Sequence, residues 1–209
     1  MPAMRLFCMN KKITTGLYWF RHDLRLSDNR TFNKLCSQVD WLICVYVNGQ
    51  EKELRSRLCE GETGEFKHDF EQQSAIDLDV SLRQKKQYLL FVDTPTQQTL
   101  TELVKNYSIT HLGVEEHPGV KEKKALEALR IACPHVEFIT DISHNLFKEI
   151  DLPFALENLP ETFTPFRKRV EKISIDAPIA ALEMLPNSIE PTPQPPPDMT
   201  SIGDVKGGE

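Results

Sequence analysis

The sequence predicts an α/β domain: a Rossmann-like, doubly wound sheet of five parallel strands with flanking helices. Two observations carry that prediction. Between Thr15 and Thr140, short apolar runs alternate with longer segments of helical period. The runs are rich in apolar and β-branched residues, which suits strands buried on both faces. Because a helix separates each run from the next, neighbouring strands run parallel through right-handed crossovers.

The expected strands are residues 16–20, 41–47, 88–92, 111–114 and 136–139. The first helix opens at Ser27 or Asp28, both good N-caps, and turns Phe32 and Leu35 inward. The second covers about residues 63–86. Its Phe66, Phe70, Gln73, Asp77 and Val80 fall near helical spacing, with Ile76 and Leu82 extending the stripe. The third carries Leu100, Leu103, Val104 and Tyr107. The fourth spans about residues 120–132, with Ala125, Leu126 and Leu129 on one side.

Residues 1–14 read as a disordered lead-in, because Leu6 to Met9 is too short an apolar stretch for a signal peptide. After Thr140 the alternation stops. Pro153, Pro160 and Pro165 break any long element, so residues 141–185 are expected to be irregular with a short basic helix near 166–173. Six prolines between Pro186 and Pro197 make residues 186–209 an extended interdomain linker rather than a packed element. A stiff spacer of this kind implies a second domain beyond it.

Composition narrows the function. The chain has 209 residues and a formal charge of -6, which argues against a surface-wide nucleic-acid footprint. Its longest apolar run is the seven residues 41–47, where about 20 are needed to cross a bilayer, so no membrane span is expected. The five cysteines form no C-x-x-C pair and have no histidine at zinc-ligand spacing. They read as free thiols in a reducing cytoplasm.

A ligand in such a fold sits beyond the carboxyl ends of the strands. Neither G-x-G-x-x-G nor G-x-x-x-x-G-K-[ST] occurs, so the usual dinucleotide and P-loop phosphate sites are excluded. The densest polar cluster follows the first strand: Arg21, His22, Asp23, Arg25, Ser27, Asp28 and Asn29. Two readings stay open for Arg21, Asp23 and Arg25, a paired network that pins the loop or a ligand contact. His22 has no second histidine nearby in sequence, which argues against a metal ligand, and no metal site is expected. Glu115, Glu116 and His117 sit at the end of the fourth strand. Adjacent carboxylates there can accept hydrogen bonds from a heterocycle bearing ring N–H and amino groups, or form a solvated turn before Pro118. Phe163, Phe166, Arg167, Lys168, Arg169 and Lys172 read as an amphipathic helix with a wet face or a nucleic-acid contact. No self-contained catalytic set is present.

The run Tyr18-Trp19-Phe20-Arg21-His22-Asp23-Leu24-Arg25-Leu26-Ser27-Asp28-Asn29 resembles the W-F-R-x-D-L-R-L-x-D-N opening of DNA photolyases and cryptochromes. Further stretches are similar to the DASH branch: Cys44-Val45-Tyr46-Val47; Thr63-Gly64-Glu65-Phe66 with Asp77-Leu78-Asp79-Val80-Ser81-Leu82; Leu159-Pro160-Glu161-Thr162-Phe163-Thr164-Pro165-Phe166-Arg167-Lys168; and Gly207-Gly208-Glu209. The likeness covers about residues 16–209.

This resemblance implies an N-terminal antenna-chromophore domain whose own C-terminal helical domain, absent from this sequence, holds FAD. The intact protein would perform light-driven, FAD-dependent repair of cyclobutane pyrimidine dimers, or sense blue light, and would contact DNA. The chain alone is expected to be a non-catalytic cytoplasmic monomer. The implied antenna is methenyltetrahydrofolate, its pterin held by Glu115, with Glu116 as the register alternative. Binding should be weak without helical-domain residues. Where members use a deazaflavin, the loop from Arg21 through His22 to Asp23 contributes. The alternative is a stand-alone Rossmann-like nucleotide- or pterin-binding regulator.

Overall fold

The computed structural model describes residues 13–47, 65–92, 96–142, 145–147 and 149–189. Five strands form the parallel sheet: β1 (Thr15–Phe20), β2 (Trp41–Val47), β3 (Leu89–Val92), β4 (His111–Glu115) and β5 (Glu137–Asp141). The helices are α1 (Arg30–Gln38), α2 (Glu65–Gln84), α3 (Thr96–Asn106), α4 (Val120–Ala132) and α5 (Phe163–Val170). Strand order is β3-β2-β1-β4-β5. The chain winds outward from β1 through β2 to β3, then returns to β1's other side with β4. That reversal opens a crevice beyond the carboxyl ends of β1 and β4.

Alternation along the strands feeds one core on each face. Leu17, Trp19, Ile43, Val45, Leu112 and Val114 pack with Leu100 and Val104 of α3 and Leu126 and Leu129 of α4. Tyr18, Phe20, Leu42, Cys44 and Tyr46 pack with Phe32 and Leu35 of α1 and Leu78 and Leu82 of α2. Gly113 lets α1 lie close on β4: a Cβ there would stand 2.8 Å from Tyr18 Cδ2 and 3.0 Å from Leu35 Cδ2.

Five local expectations are corrected. The α1 cap is Asn29, not Ser27 or Asp28. Its Oδ1 accepts from the Phe32 N–H at 2.9 Å, while Asp28 takes φ 55. In α2 the expected stripe mixes the two faces, with Leu82 buried as expected. Phe70 is 71% exposed and Val80 50%, whereas Ala75, Leu78, Asp79 and Leu82 are buried. Asp79 turns that side inward, because its Oδ1 accepts from the Leu89 N–H at 2.8 Å and fixes the start of β3. Phe66 and the residues before α2 lie outside the side chains described.

The short basic helix is Phe163–Val170, three residues earlier than expected. Proline is tolerated in a first turn, where its missing N–H has no helical partner, so Pro165 sits inside the helix instead of before it. The segment expected to be unpacked from Pro186 begins with a strand. Asn187–Ser188 form β6, parallel to Trp41 and Leu42 of β2, and Ile189 packs against the core. The lead-in expected through residue 14 also stops short: Thr14 N–H and Oγ1 both bond Asp40 Oδ2, at 3.1 and 3.0 Å. Residues 1–12 and 190–209 lie outside the described residues.

Cys44 and Cys133 are buried free thiols and Cys36 a half-buried one, as expected; Cys8 and Cys59 are outside the described residues. Burial pushes the Cys36 thiol up to about 12. Among the described residues, no helix is long and apolar enough to cross a membrane.

Candidate functional site: the crevice between the first and fourth strands

The loop leaving β1 divides into two parts. In the second part Asp23, Arg25, Asp28, Asn29 and Arg30 all have structural partners. Arg25 grips Asp23 with two bonds, Nε to Oδ1 at 2.9 Å and Nη2 to Oδ2 at 2.8 Å, and its N–H adds a third. Asp28 exchanges bonds with Ile179: its N–H donates to the Ile179 carbonyl at 2.6 Å and its Oδ1 accepts from the Ile179 N–H at 3.2 Å. Arg30 pairs with Asp176 at 3.0 Å. The buried Asn29 Oδ1 also accepts from the Tyr18 hydroxyl at 2.9 Å, and Asn29 Nδ2 donates to the Arg25 carbonyl. Burial, helped by the nearby Glu115 and Asp23 charges and opposed by the Asn29 bond, holds Tyr18 protonated, well above its usual range. This half of the motif caps α1 and ties the segment 176–179 to the sheet.

The first part is different. Arg21 follows β1 and lays its guanidinium over the Trp19 ring, 4.6 Å from the centroid. Nε and both Nη atoms are shut off from solvent, and none has a hydrogen-bond partner among the described residues. An unpaired buried cation is costly. Burial lowers the Arg21 pKa; Glu122 and Glu115 act in the opposite direction without bonding it. His22 is half-exposed, its ring 4.7 Å from that of His117. Its pKa is lowered, first by burial, then by Arg21 and His117.

The two candidate glutamates part company at the end of β4. Glu115 is the last strand residue and only 7% exposed. By strand alternation it lies on the same face as Gly113. Its charge acts on Tyr18, Arg21 and Arg25. Glu116 goes to the neighbouring strand and helix: its Oε1 accepts from Thr140 Oγ1 at 2.8 Å and faces Arg130 Nη2 at 3.6 Å. At the crevice Arg21 stacks on Trp19 on the α3/α4 side of β1 and His22 lies beside His117, while Glu115 ends β4 on the α1 side with its charge acting on Arg21. Asp23 is engaged by Arg25 at the crevice rim, and Glu116 points to α4 and β5. A shallow cleft of about 180 Å³ beside Glu116, His117 and Arg130 is below the roughly 300–1,000 Å³ of typical small-molecule sites.

Sequence reasoning places His117 beside Glu115 and Glu116 at the end of β4 but does not bring it to His22, and it misses Glu122. His117 follows β4, and Glu122 stands in the first turn of α4, 3.6 Å from His22 Nε2 and 3.9 Å from His117 Nδ1. The argument that no second histidine stands near His22 holds along the chain but fails in space. The signal was topological: residues just after β1 and β4 converge wherever β4 returns beside β1.

Comparison with known proteins agrees with this fold. A cryptochrome DASH from Vibrio parahaemolyticus is 38% identical over 179 residues, covering 85% of this chain and 40% of that protein. One from Idiomarina loihiensis is 32% identical over 177 residues, covering 83% and 39%. The crystal structure of a Synechocystis sp. PCC6803 cryptochrome superposes with a TM-score of 0.77 at 27% identity, over 89% of this chain and 40% of that one. The chain thus spans about 40% of the length of these relatives, and the matched part is their N-terminal photolyase domain. The family profile described as DNA photolyase matches residues 16–195, and the chain belongs to the DNA photolyase family.

Proposed function

We propose that this chain is the antenna-bearing domain of a DASH-type cryptochrome or photolyase, and that the β1/β4 crevice receives the antenna chromophore. Proteins of this family bind FAD and an antenna chromophore. The observation that carries the reading is the Arg21 guanidinium, buried, stacked on Trp19 and without a hydrogen-bond partner among the described residues. Such a group fits an anionic or carbonyl-bearing ligand, which would supply the missing acceptors. Glu115 fits the complementary role. A buried carboxylate accepts hydrogen bonds from the amino and ring N–H groups of a pterin. Methenyltetrahydrofolate carries both kinds of group, a pterin and a carboxylate tail, and is the proposed antenna.

When bound, the antenna supplies light absorption and passes excitation to a flavin. This chain's residues bind and orient it. Arg21 holds an acceptor, Trp19 orients the guanidinium by stacking, and Glu115 fixes the pterin edge. FAD is assigned to a further domain of the intact protein, together with DNA contact and either dimer repair or blue-light sensing. The chain alone is a non-catalytic monomer in the cytoplasm on this reading. Asp23 supports the loop and does not touch the ligand.

The test is fluorescence titration of the 209-residue chain with methenyltetrahydrofolate. Glu115→Ala should lower affinity roughly 10- to 150-fold, the equivalent of a charged hydrogen bond of about 1.5–3 kcal/mol. Glu116→Ala, whose carboxylate is held by Thr140, should change it much less. Wild-type affinity in Glu115→Ala, or an equal loss in both, overturns the assignment.

A further inference from the structure

We propose that His22, His117 and Glu122 form a binding site for a divalent transition-metal ion of the zinc type at the mouth of the β1/β4 crevice. One donor atom from each of the three lies within 4.8 Å of the other two. The site is independent of what the crevice holds, because it is defined by these side chains alone.

The donor set selects the ion. Two imidazole nitrogens and one carboxylate suit zinc and its neighbours, whereas magnesium and calcium take oxygen ligands. Bonds of about 2.0–2.2 Å to a tetrahedral zinc place the ligand atoms roughly 3.3–3.6 Å apart. His22 Nε2 is already 3.6 Å from Glu122 Oε1, and His117 Nδ1 is 3.9 Å from Glu122 Oε2. The two histidines reach different oxygens of Glu122, and with the donor atoms spread over as much as 4.8 Å, closing on one ion takes side-chain adjustments of about 1 Å.

The protonation geometry is favourable. His117 Nδ1 accepts the Gly119 N–H at 3.1 Å, so its one lone pair lies toward that N–H. An incoming ion takes over that lone pair. Gly119 also makes room for the carboxylate, since a Cβ at this position would collide with Glu122 Oε2. Burial alone would raise the Glu122 carboxyl, but a backbone hydrogen bond and the adjacent His117, Arg21 and His22 outweigh it and hold it ionised. Arg21 opposes a cation, whereas Glu122 and Glu71, whose charges both act on His22, favour one. All three ligands are partly exposed, which leaves an entry path and an open fourth position for water or a ligand atom.

Bound metal would tie the loop after β1 to the turn after β4, the two segments that form the crevice walls. It should therefore raise the melting temperature. At a free concentration 100 times the dissociation constant the rise is about 5–10 °C for a chain this size.

The experiment titrates the untagged 209-residue chain with Zn²⁺ against a chromogenic chelator. Cys8 and Cys59 are replaced by serine, because both lie outside the described residues and thiols bind zinc. A parallel titration uses Co²⁺ and reads its visible ligand-field bands. The expected result is one ion per chain, no response to Mg²⁺, and cobalt bands of a low-coordinate nitrogen and oxygen site. His22→Gln and Glu122→Gln should each lower affinity at least tenfold and remove those bands. Their melting curves in chelator should match the parent, which shows that the fold is intact. Absence of one-to-one binding in the parent, or unchanged binding in both variants, overturns the proposal. Neither outcome bears on the folate titration, so the two readings fail separately.

Discussion

Arg21 and Arg25 lie four residues apart in one loop and have opposite surroundings. Arg25 is more than half exposed and holds Asp23 with both arms of its fork. Arg21 is buried and bonds nothing among the described residues. The same contrast runs through the loop. From Asp23 to Arg30 polar side chains fasten backbone to backbone, whereas Arg21 and His22 face a crevice with chemistry still available. One continuous motif thus contains a structural half and a half proposed to face a ligand, and its sequence does not mark the boundary.

Disrupting the structural half should cost stability, most of all at Asn29. Asn29→Ala removes the α1 cap, worth about 1 kcal/mol, and leaves the buried Tyr18 hydroxyl without its acceptor, worth about 1–3 kcal/mol. Urea unfolding should show a loss of about 2–4 kcal/mol. Adding Tyr18→Phe to the variant should recover the hydroxyl part. A loss below about 1 kcal/mol would mean that the cap and the hydroxyl bond do not share Asn29 as described.

Asp28 comes next. Asp28→Ala removes the acceptor for the Ile179 N–H and places alanine at φ 55, for a combined loss of about 2 kcal/mol. Limited proteolysis should then cut near residues 176–179 faster than in the parent. Equal cutting rates would show that this tie does not hold the segment. Arg25→Ala breaks a pair whose arginine is largely exposed, so the melt should fall by no more than about 1 kcal/mol. A larger loss would make Arg25 a core anchor and blur the contrast with Arg21.

The smallest effect is a pH dependence on the ligand-facing side. His22 is held below its ordinary value of 6.5, first by burial, then by Arg21 and His117, with Glu122 and Glu71 acting the other way. Unfolded His22 takes up its proton first as the pH falls. Stability is therefore complete above about pH 6.5 and declines as pH drops from there through the lower folded pKa. Melting temperatures in chelator at about pH 7.5 and pH 5.5 should differ more for the parent than for His22→Gln. An unchanged difference would remove His22 from the buried set.

The sheet was legible because each strand carries its own apolar run, and all five runs became strands within two residues at either end. The inner face of α2 was not, because apolar residues occur on both sides of that helix. Phe70 and Val80 give a stripe as regular as Ala75, Leu78 and Leu82, and only the Asp79 bond to β3 decides which side turns in. Glu115 and Glu116 were legible as a pair but not apart. Their separation depends on Thr140 and Arg130, side chains from β5 and α4 that no local pattern could bring to mind. The meeting of His117 with His22 and Glu122 was illegible for a similar reason, since it happens only once β4 returns beside β1.

The division of the loop is tested most directly by comparing Arg21→Gln with Arg25→Gln for methenyltetrahydrofolate affinity, both measured by fluorescence in the 209-residue chain. If the crevice is the antenna site and Arg21 its unpaired donor, Arg21→Gln loses roughly 10- to 150-fold in affinity. Its stability stays at the parent level, because no hydrogen bond of the fold is removed. Arg25→Gln should bind within about twofold of the parent. Equal affinities in the two variants, or a greater loss in Arg25→Gln, would contradict the account.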